Sequence, residues 1–337
     1  VTSGTAPLNG DVRLSPVSAF AAGGLTNTDT ALAPQVSPGR GNVEFDLPGV
    51  LVGTAEYAEG PTGCTVVLVP DGARTAVDAR GGAVGLGGGY DVNHAICLAG
   101  GSVHGLGAAA GVTDELMERH QRQTRWTELR LVSGAVIYDF SCRDNAIVPD
   151  ATLGRAAVRQ AVPGVVPVGR CGAGRSATVG KVNFGRAEFA GQGAAFAAVG
   201  DVRVLVVTVP NAIGVVVDRA GTVVRGNYDA ERAERRHPAT DYEAALRAGG
   251  PAAPVGGNTT LTVLVTNVKL SDYSLNQLAR QVHSSMHRGI QPFHTENDGD
   301  VLFALTTDQI ELPGTVPTGL GTIASEVAWD AVLSAAV

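Results

Sequence analysis

The strongest apolar run of the chain is Leu261-Thr262-Val263-Leu264-Val265-Thr266, which meets no charge before Lys269. Val, Leu and Thr packed this densely predict a buried strand over 261–268. Gly256, Gly257 and Asn258 just ahead of it suit a turn. Similar patterns predict strands over 64–69, 129–138, 204–209, 213–217, 222–225 and 301–305. The first is closed by Pro70-Asp71-Gly72, and Gly134 interrupts the second. Helical spacing appears at Leu106, Ala109, Val112 and Leu116, and predicts a helix over 105–120. A short helix over 151–161 is N-capped by Asp150 and stopped by Pro163-Gly164. Leu275, Leu278, Val282 and Met286 share one face of a helix from Ser271 to Gly289, and 321–336 closes the chain as a helix.

Between these elements the chain changes character. Residues 1–42 are rich in Gly, Ser, Thr, Pro and Ala, and predict a loosely ordered arm. Residues 80–107 hold many glycines with Val, Leu and Ile interleaved, which implies tight turns and close backbone approach. Residues 229–257 read as a polar loop. Strands and helices alternate without a βαβα rhythm, so the expected class is α/β, as a layered sandwich.

Composition narrows the function. The chain has 337 residues, 44% of them hydrophobic, with a mean hydropathy of +0.12, enough for one large core or two ordinary ones. A net charge of −7 argues against a nucleic-acid or anionic-membrane partner. The basic run 232–237 is broken by Glu234 and reads as a solvated face. Four scattered cysteines without a CxxC pair read as free thiols of a cytoplasmic protein. No signal peptide and no apolar run of membrane-spanning length are expected.

The candidate chemistry centres on Thr259, where a turn enters a stiff strand. Cleavage between Asn258 and Thr259 would leave a threonine whose own α-amine sits beside its hydroxyl, a known way to activate a weak nucleophile. Such an amine has a reference pKa of about 7.7–8.0, against about 10.4 for lysine, and is the better general base near neutrality. The glycine pair would let the Asn258 carbonyl take up a strained geometry. Taken locally, a plain turn is the commoner reading.

Four further features would serve such a nucleophile. Asp298-Gly299-Asp300 places two carboxylates at a strand edge, where they could orient a terminal amine. Lys181 follows Gly180 and precedes an apolar residue, a setting for a buried cation. Asn211 lies between two apolar strands and could donate to an oxyanion. Tyr138 ends a strand and could present its hydroxyl. Each also has a plain structural reading as turn, surface or packing residue.

Other motifs fail. Gly172 to Ala177 matches a loose dinucleotide pattern but lacks a following helix start. Gly174 to Lys181 has one residue too many for a phosphate loop. Gly100 to His104 lacks the last glycine of a nucleophile elbow, which leaves Ser102 as a helix-entry residue. His283 and His287 stand at i, i+4 without an HExxH glutamate, and read as packing or capping groups.

Several segments resemble the self-processing β-peptidyl aminopeptidase family. They include Glu59 to Gly63, Ala76 to Gly82, Tyr90 to Gly101, Ala135 to Phe140, Gly180-Lys181-Val182, Val209-Pro210-Asn211, Gly257 to Thr260, Gln281 to His294 and Asp298-Gly299-Asp300. The resemblance runs from about Phe45 to Val332; the arm and the stretches 113–128 and 229–256 depart from it. It implies an N-terminal-nucleophile-like αββα sandwich, cut between Asn258 and Thr259 into fragments 43–258 (with its arm) and 259–337. It implies Thr259 as nucleophile, Asp298 and Asp300 as orienting carboxylates, and Lys181, Asn211 and Tyr138 as site residues. It implies endo-type hydrolysis of 6-aminohexanoate oligomers through an acyl-enzyme, no metal or organic cofactor, and a tetramer of cleaved heterodimers. The alternatives are an aminopeptidase on β- or D-amino-acid peptides, an acyltransferase of the ornithine acetyltransferase kind, and a non-enzymatic shell protein.

Overall fold

A computed structural model describes residues 24–249 and 257–336. Its main sheet has nine strands. Eight define the architecture: β1 (Leu51–Tyr57), β2 (Thr62–Ala79), β3 (Val92–Ala99), β4 (Val132–Val136), β5 (Gly193–Val199), β6 (Val202–Asn211), β7 (Thr259–Val268) and β8 (Val301–Ile310). The order is β5-β6-β7-β8-β2-β3-β4, with β1 beside β2 and a two-residue strand, Leu86–Gly87, beyond β4.

The sheet folds over itself because β2 serves two layers. Its first half pairs with β1 and β3, and its second half with β8. The register shifts between Leu68 and Ala73. Pro70-Asp71-Gly72, expected to end the strand, therefore forms an irregularity inside it. A proline that cannot donate to a ladder is tolerated at such a bulge.

Alternation along each strand then sorts side chains between three cores. On β7, Leu261, Val263 and Val265 face the space between the two halves of the sheet, together with Phe303 and Leu305 of β8 and Ile96 and Leu98 of β3. Leu264 and Val268 face the opposite way, onto α4 (Asp272–Ser285) and α5 (Pro317–Ala335). On the far side, Cys64, Val66, Leu68 and Cys97 pack against α1 (Gly107–Arg119) and α2 (Ala151–Arg159). Helices, sheet, sheet and helices make four layers, the expected αββα sandwich.

Local signals explain the helix ends. Asp150 accepts from Leu153 N at 3.1 Å, and Ser271 Oγ from Ser274 N at 3.1 Å. Three expectations are corrected. Residues 92–99 form a central strand, not only turns; its apolar run was masked by flanking glycines. Pro238–Ala248 is a helix, α3, inside the segment read as loop, with Pro at its first turn and Gly249 at its end. The strand over 129–138 is confined to Val132–Val136, includes Gly134 and leaves Tyr138 beyond it. Of the arm, residues 24–40 are described; they lack helix or extended strand, and Gly41–Glu44 pairs antiparallel with Val165–Val168.

Leu264 is fully buried between the nucleophile strand and the helical layer. Replacing it with alanine should cost about 2–5 kcal/mol, through lost transfer energy and a residual cavity. Chemical denaturation of the purified variant measures the loss.

Candidate active site

β7 is held on both sides over its whole length, and its first residue is Thr259. On one side it runs antiparallel to β6, where Asn211 registers with Thr259. On the other it runs parallel to β8, and Asn258 bridges to Asp298. All ten residues of β7 are buried. The expected nucleophile therefore starts a strand with no freedom to shift.

The sequence-predicted residues converge on this point. The Thr259 hydroxyl donates to the Asn258 carbonyl oxygen at 2.5 Å. That oxygen also accepts the Gly299 amide at 2.9 Å. Gly299 separates the two aspartates, and it has to be glycine: an added Cβ would lie 2.2 Å from the Ala83 carbonyl and 2.9 Å from Thr259 Oγ1. The two aspartates are pinned from the other side by Arg80 N on the Asp300 carbonyl (2.8 Å) and Ala83 N on the Asp298 carbonyl (3.0 Å). This is how the glycine-rich stretch after β2 contributes, by close backbone approach.

Lys181 is wholly buried. Its Nζ donates to the Asn211 carbonyl at 2.8 Å and to the Gly257 carbonyl at 3.4 Å. Asn211 was expected between two strands; it is the last residue of β6. Its Oδ1 accepts from Thr178 N at 3.0 Å, which fixes the amide's orientation. Its Nδ2 donates to the Tyr138 carbonyl (2.9 Å) and the Gly257 carbonyl (3.3 Å). In the uncut chain its donor thus serves the carbonyl one residue before Asn258. The amide on the Asn258 carbonyl itself belongs to Gly299, a backbone group that side-chain motifs do not reveal.

Tyr138 packs its ring against Gly257, where an added Cβ would fall 2.3 Å from Cδ1. Gly257 also has φ +81°, a left-handed conformation that costs glycine nothing. Asn258 and Thr259 are different: they are paired in extended ladders, and their peptide bond is not cis. The extended, non-cis Asn258–Thr259 peptide therefore counts against the strained geometry expected at the Asn258 carbonyl. The special conformation sits one residue earlier, and what acts on the Asn258 carbonyl is its pair of hydrogen-bond donors. Gly256 lies outside the described residues.

Burial dominates the electrostatics. It drives Lys181 down to about 7, against the attraction of Asp298. It drives Asp300 up to about 6, opposed chiefly by the Thr260 amide on Oδ1 (2.6 Å). Burial and the Asp300 charge raise Asp298, opposed by Thr295, which donates to Oδ2 through Oγ1 (2.5 Å) and N (3.1 Å). The lysine faces Asp298, and the attraction between the two opposes the loss of charge that burial favours in each. Burial lifts the Tyr138 phenol to about 12, so it is a neutral donor at ordinary pH. His283 is buried with Nδ1 on Asp78 at 2.9 Å, and His294, not among the site residues expected from the sequence, donates its Nδ1–H to Asp300 Oδ2 at 2.8 Å. Among the described residues no cluster of three or more His, Cys, Asp or Glu could hold a metal.

Gly257→Ala should block any reaction at the Asn258–Thr259 bond, since it displaces Tyr138 and strains a left-handed backbone. A denaturing gel should show a single full-length band for the variant over a period in which the parent chain is cut.

Residues 42–337 match the family model for peptidase family S58. The chain is 58% identical to the 6-aminohexanoate-oligomer endohydrolase of Paenarthrobacter ureafaciens, across 97% of this chain and 96% of that protein. In three dimensions it resembles the L-aminopeptidase D-Ala-esterase/amidase of Ochrobactrum anthropi, described as a variant of the Ntn hydrolase fold, with TM-score 0.62 at 19% identity over 92% and 88% of the two chains. It also resembles a Burkholderia β-aminopeptidase, with TM-score 0.60 at 18% identity over 89% and 88%. These two likenesses concern the fold. The sequence matches carry the assignment: this chain is a hydrolase and belongs to peptidase family S58.

Proposed function

We propose that the chain cuts itself between Asn258 and Thr259, and that the exposed Thr259 then hydrolyses amide bonds inside 6-aminohexanoate oligomers through an acyl-enzyme. The observation that carries this reading is the placement of the Thr259 hydroxyl and the Gly299 amide on one carbonyl oxygen, 2.5 and 2.9 Å away. In self-cleavage, Oγ1 forms a bond to the Asn258 carbonyl carbon as the C–N bond breaks. The hydroxyl proton passes to the departing nitrogen, which becomes the Thr259 α-amine. Water then hydrolyses the ester, leaving a new carboxylate at Asn258.

In turnover that amine is the general base. It takes the Thr259 hydroxyl proton during attack and returns it to the leaving amine of the oligomer. Asp298 and Asp300 orient the amine, and the buried Lys181 cation helps keep it neutral. Asn211, Tyr138 and the Gly299 amide supply neutral donors; one well-placed donor to an oxyanion is worth about 10²–10³ in rate. The oligomer as substrate is supported by the endohydrolase relative. The fragments are 1–258 and 259–337.

The working enzyme is a tetramer of cleaved heterodimers in the cytoplasm. Exposed Tyr90, Met117 and Trp126 support an assembly, and four buried unpaired cysteines fit a reducing compartment. No helix among the described residues is long and apolar enough to cross a membrane.

Edman sequencing of the small fragment should begin Thr-Thr-Leu-Thr, and Thr259→Ala should stay uncut and inactive. Linear and cyclic 6-aminohexanoate oligomers should release internal fragments by mass spectrometry. Activity confined to β-alanyl peptides would move the assignment to an aminopeptidase. Acyl transfer to an added amine without net hydrolysis would move it to an acyltransferase. Sedimentation of the cut protein should give the mass of four heterodimers, and a single heterodimer would sink the assembly.

A further inference from the structure

The Asp300 carboxylate accepts three hydrogen bonds. Its Oδ1 takes Thr260 N at 2.6 Å, and its Oδ2 takes both the His294 amide at 3.0 Å and the His294 ring Nδ1 at 2.8 Å. The ring is held by its surroundings. Phe293 stacks on it at 3.9 Å, and His283 and His287 meet it edge-on at 4.3 and 5.1 Å. His283 is in turn fixed by Asp78, which pairs with Arg80 at 2.8 Å. His283 and His294 each bury an Nε2 atom with no hydrogen-bond partner. Each ring therefore gives its one polar contact, through Nδ1, to a carboxylate. A buried unmet nitrogen is destabilising, and an apolar side chain in the same place would avoid that cost.

We infer that His294 is a positioning residue for Asp300: its Nδ1–H holds the carboxylate in one orientation and favours the ionised form, while His283 and Asp78 brace the ring. The inference rests on Asp300 being an orienting carboxylate of the self-cleaving and hydrolytic site. No proton is transferred in this role. His294 donates as a neutral imidazole, because burial, with His287 and Arg80 nearby, pushes it down to about 4. The charged and titratable groups facing the pair are Asp298 on the same loop, His283 from α4, His287 from the turn Met286–Arg288 after it, Asp78 from β2 and Arg80 just beyond it. Burial raises Asp300 to about 6, and donors on its oxygens oppose that rise. Loss of the Nδ1–H donor removes part of the opposition. The Asp300 pKa then climbs further, and the carboxylate form is reached only at higher pH.

His294 sits at φ +57°, a conformation that asparagine tolerates well. His294→Asn keeps an N–H close to the position of Nδ1, whereas His294→Gly keeps the backbone and removes the donor. The test compares both in the full chain with Asp300→Asn. It follows fragment appearance on gels from pH 5 to 8, then kcat and KM on a linear 6-aminohexanoate oligomer, with thermal melting to establish folding. H294G should slow processing and kcat by about tenfold to a hundredfold with little change in KM. Its acid limb should move up by about one pH unit. H294N should restore most of the rate and leave the limb in place. A folded H294G with an unmoved limb, or an H294N as slow as H294G, overturns the role of His294. A D300N variant as active as the parent overturns the reading of Asp300 beneath it, independently of either His294 variant.

Discussion

The hydrogen bond from the Gly299 amide to the Asn258 carbonyl, 2.9 Å long, is the constraint on which the site depends. It is an ordinary rung of a parallel ladder, yet it falls on the peptide that joins the turn to the nucleophile strand. The rung sets the carbonyl against Asp298-Gly299-Asp300, and the antiparallel pairing of Thr259 with Asn211 sets the same peptide against Lys181 and Tyr138. Two ladders thus bring side chains far apart in sequence to one place without a loop that must find its own conformation. Precision of this kind comes from strands whose every residue is buried, and β7 meets that condition.

The same burial explains why the charges behave as they do. Lys181, Asp298 and Asp300 are all essentially without solvent exposure, so each is pushed toward its neutral form. The sign of the linkage follows. A raised carboxylate is protonated more in the folded chain than in the unfolded one, so its contribution to stability falls as pH rises through about 6. A lowered lysine works the other way: the folded chain resists protonating it, and stability is gained as pH rises above about 7. The site is least comfortable where it carries both charges. That is also the form in which the lysine cation and the carboxylate it faces, Asp298, attract each other. Stability given up there is the usual cost of a buried reactive centre.

Much of this was legible in the chain. The charge-free run 261–268 announced a buried strand, and caps such as Asp150 and Ser271 marked helix starts, because those signals are local. Thr259, Lys181, Asn211 and the two aspartates could be singled out as residue types that the chemistry requires. Three things could not. The continuation of β2 through Pro70-Asp71-Gly72 depends on a long-range partner, β8, that outweighs the local turn preference. The donor from Gly299 is a backbone group, invisible to any reading of side chains. His294 lies four residues before Asp298 in a stretch that was read for its resemblance, and only the fold brings its ring onto Asp300. The special backbone expected at Asn258 is displaced by one residue for a related reason. Glycine density shows where a left-handed residue is affordable, but the ladder decides which residue takes it, and it is Gly257.

The donors around Gly257 raise a point about substrate chemistry. In the uncut chain Lys181 and Asn211 both reach the Gly257 carbonyl, one peptide unit before the Asn258 carbonyl. Buried donors that lose such a partner cost about 1–3 kcal/mol each until something replaces it. If the new C-terminus at Asn258 withdraws after cleavage, an α-peptide entering the same track would offer a carbonyl at that position. A 6-aminohexanoate unit would not, because a run of methylenes follows its reactive carbonyl where the peptide has its next amide. In the uncut chain the Lys181 and Asn211 donors are thus matched to the Gly257 carbonyl, while the Gly299 amide is matched to the Asn258 carbonyl that Thr259 faces. Release of the Gly257 carbonyl is what would free the two side-chain donors for a substrate.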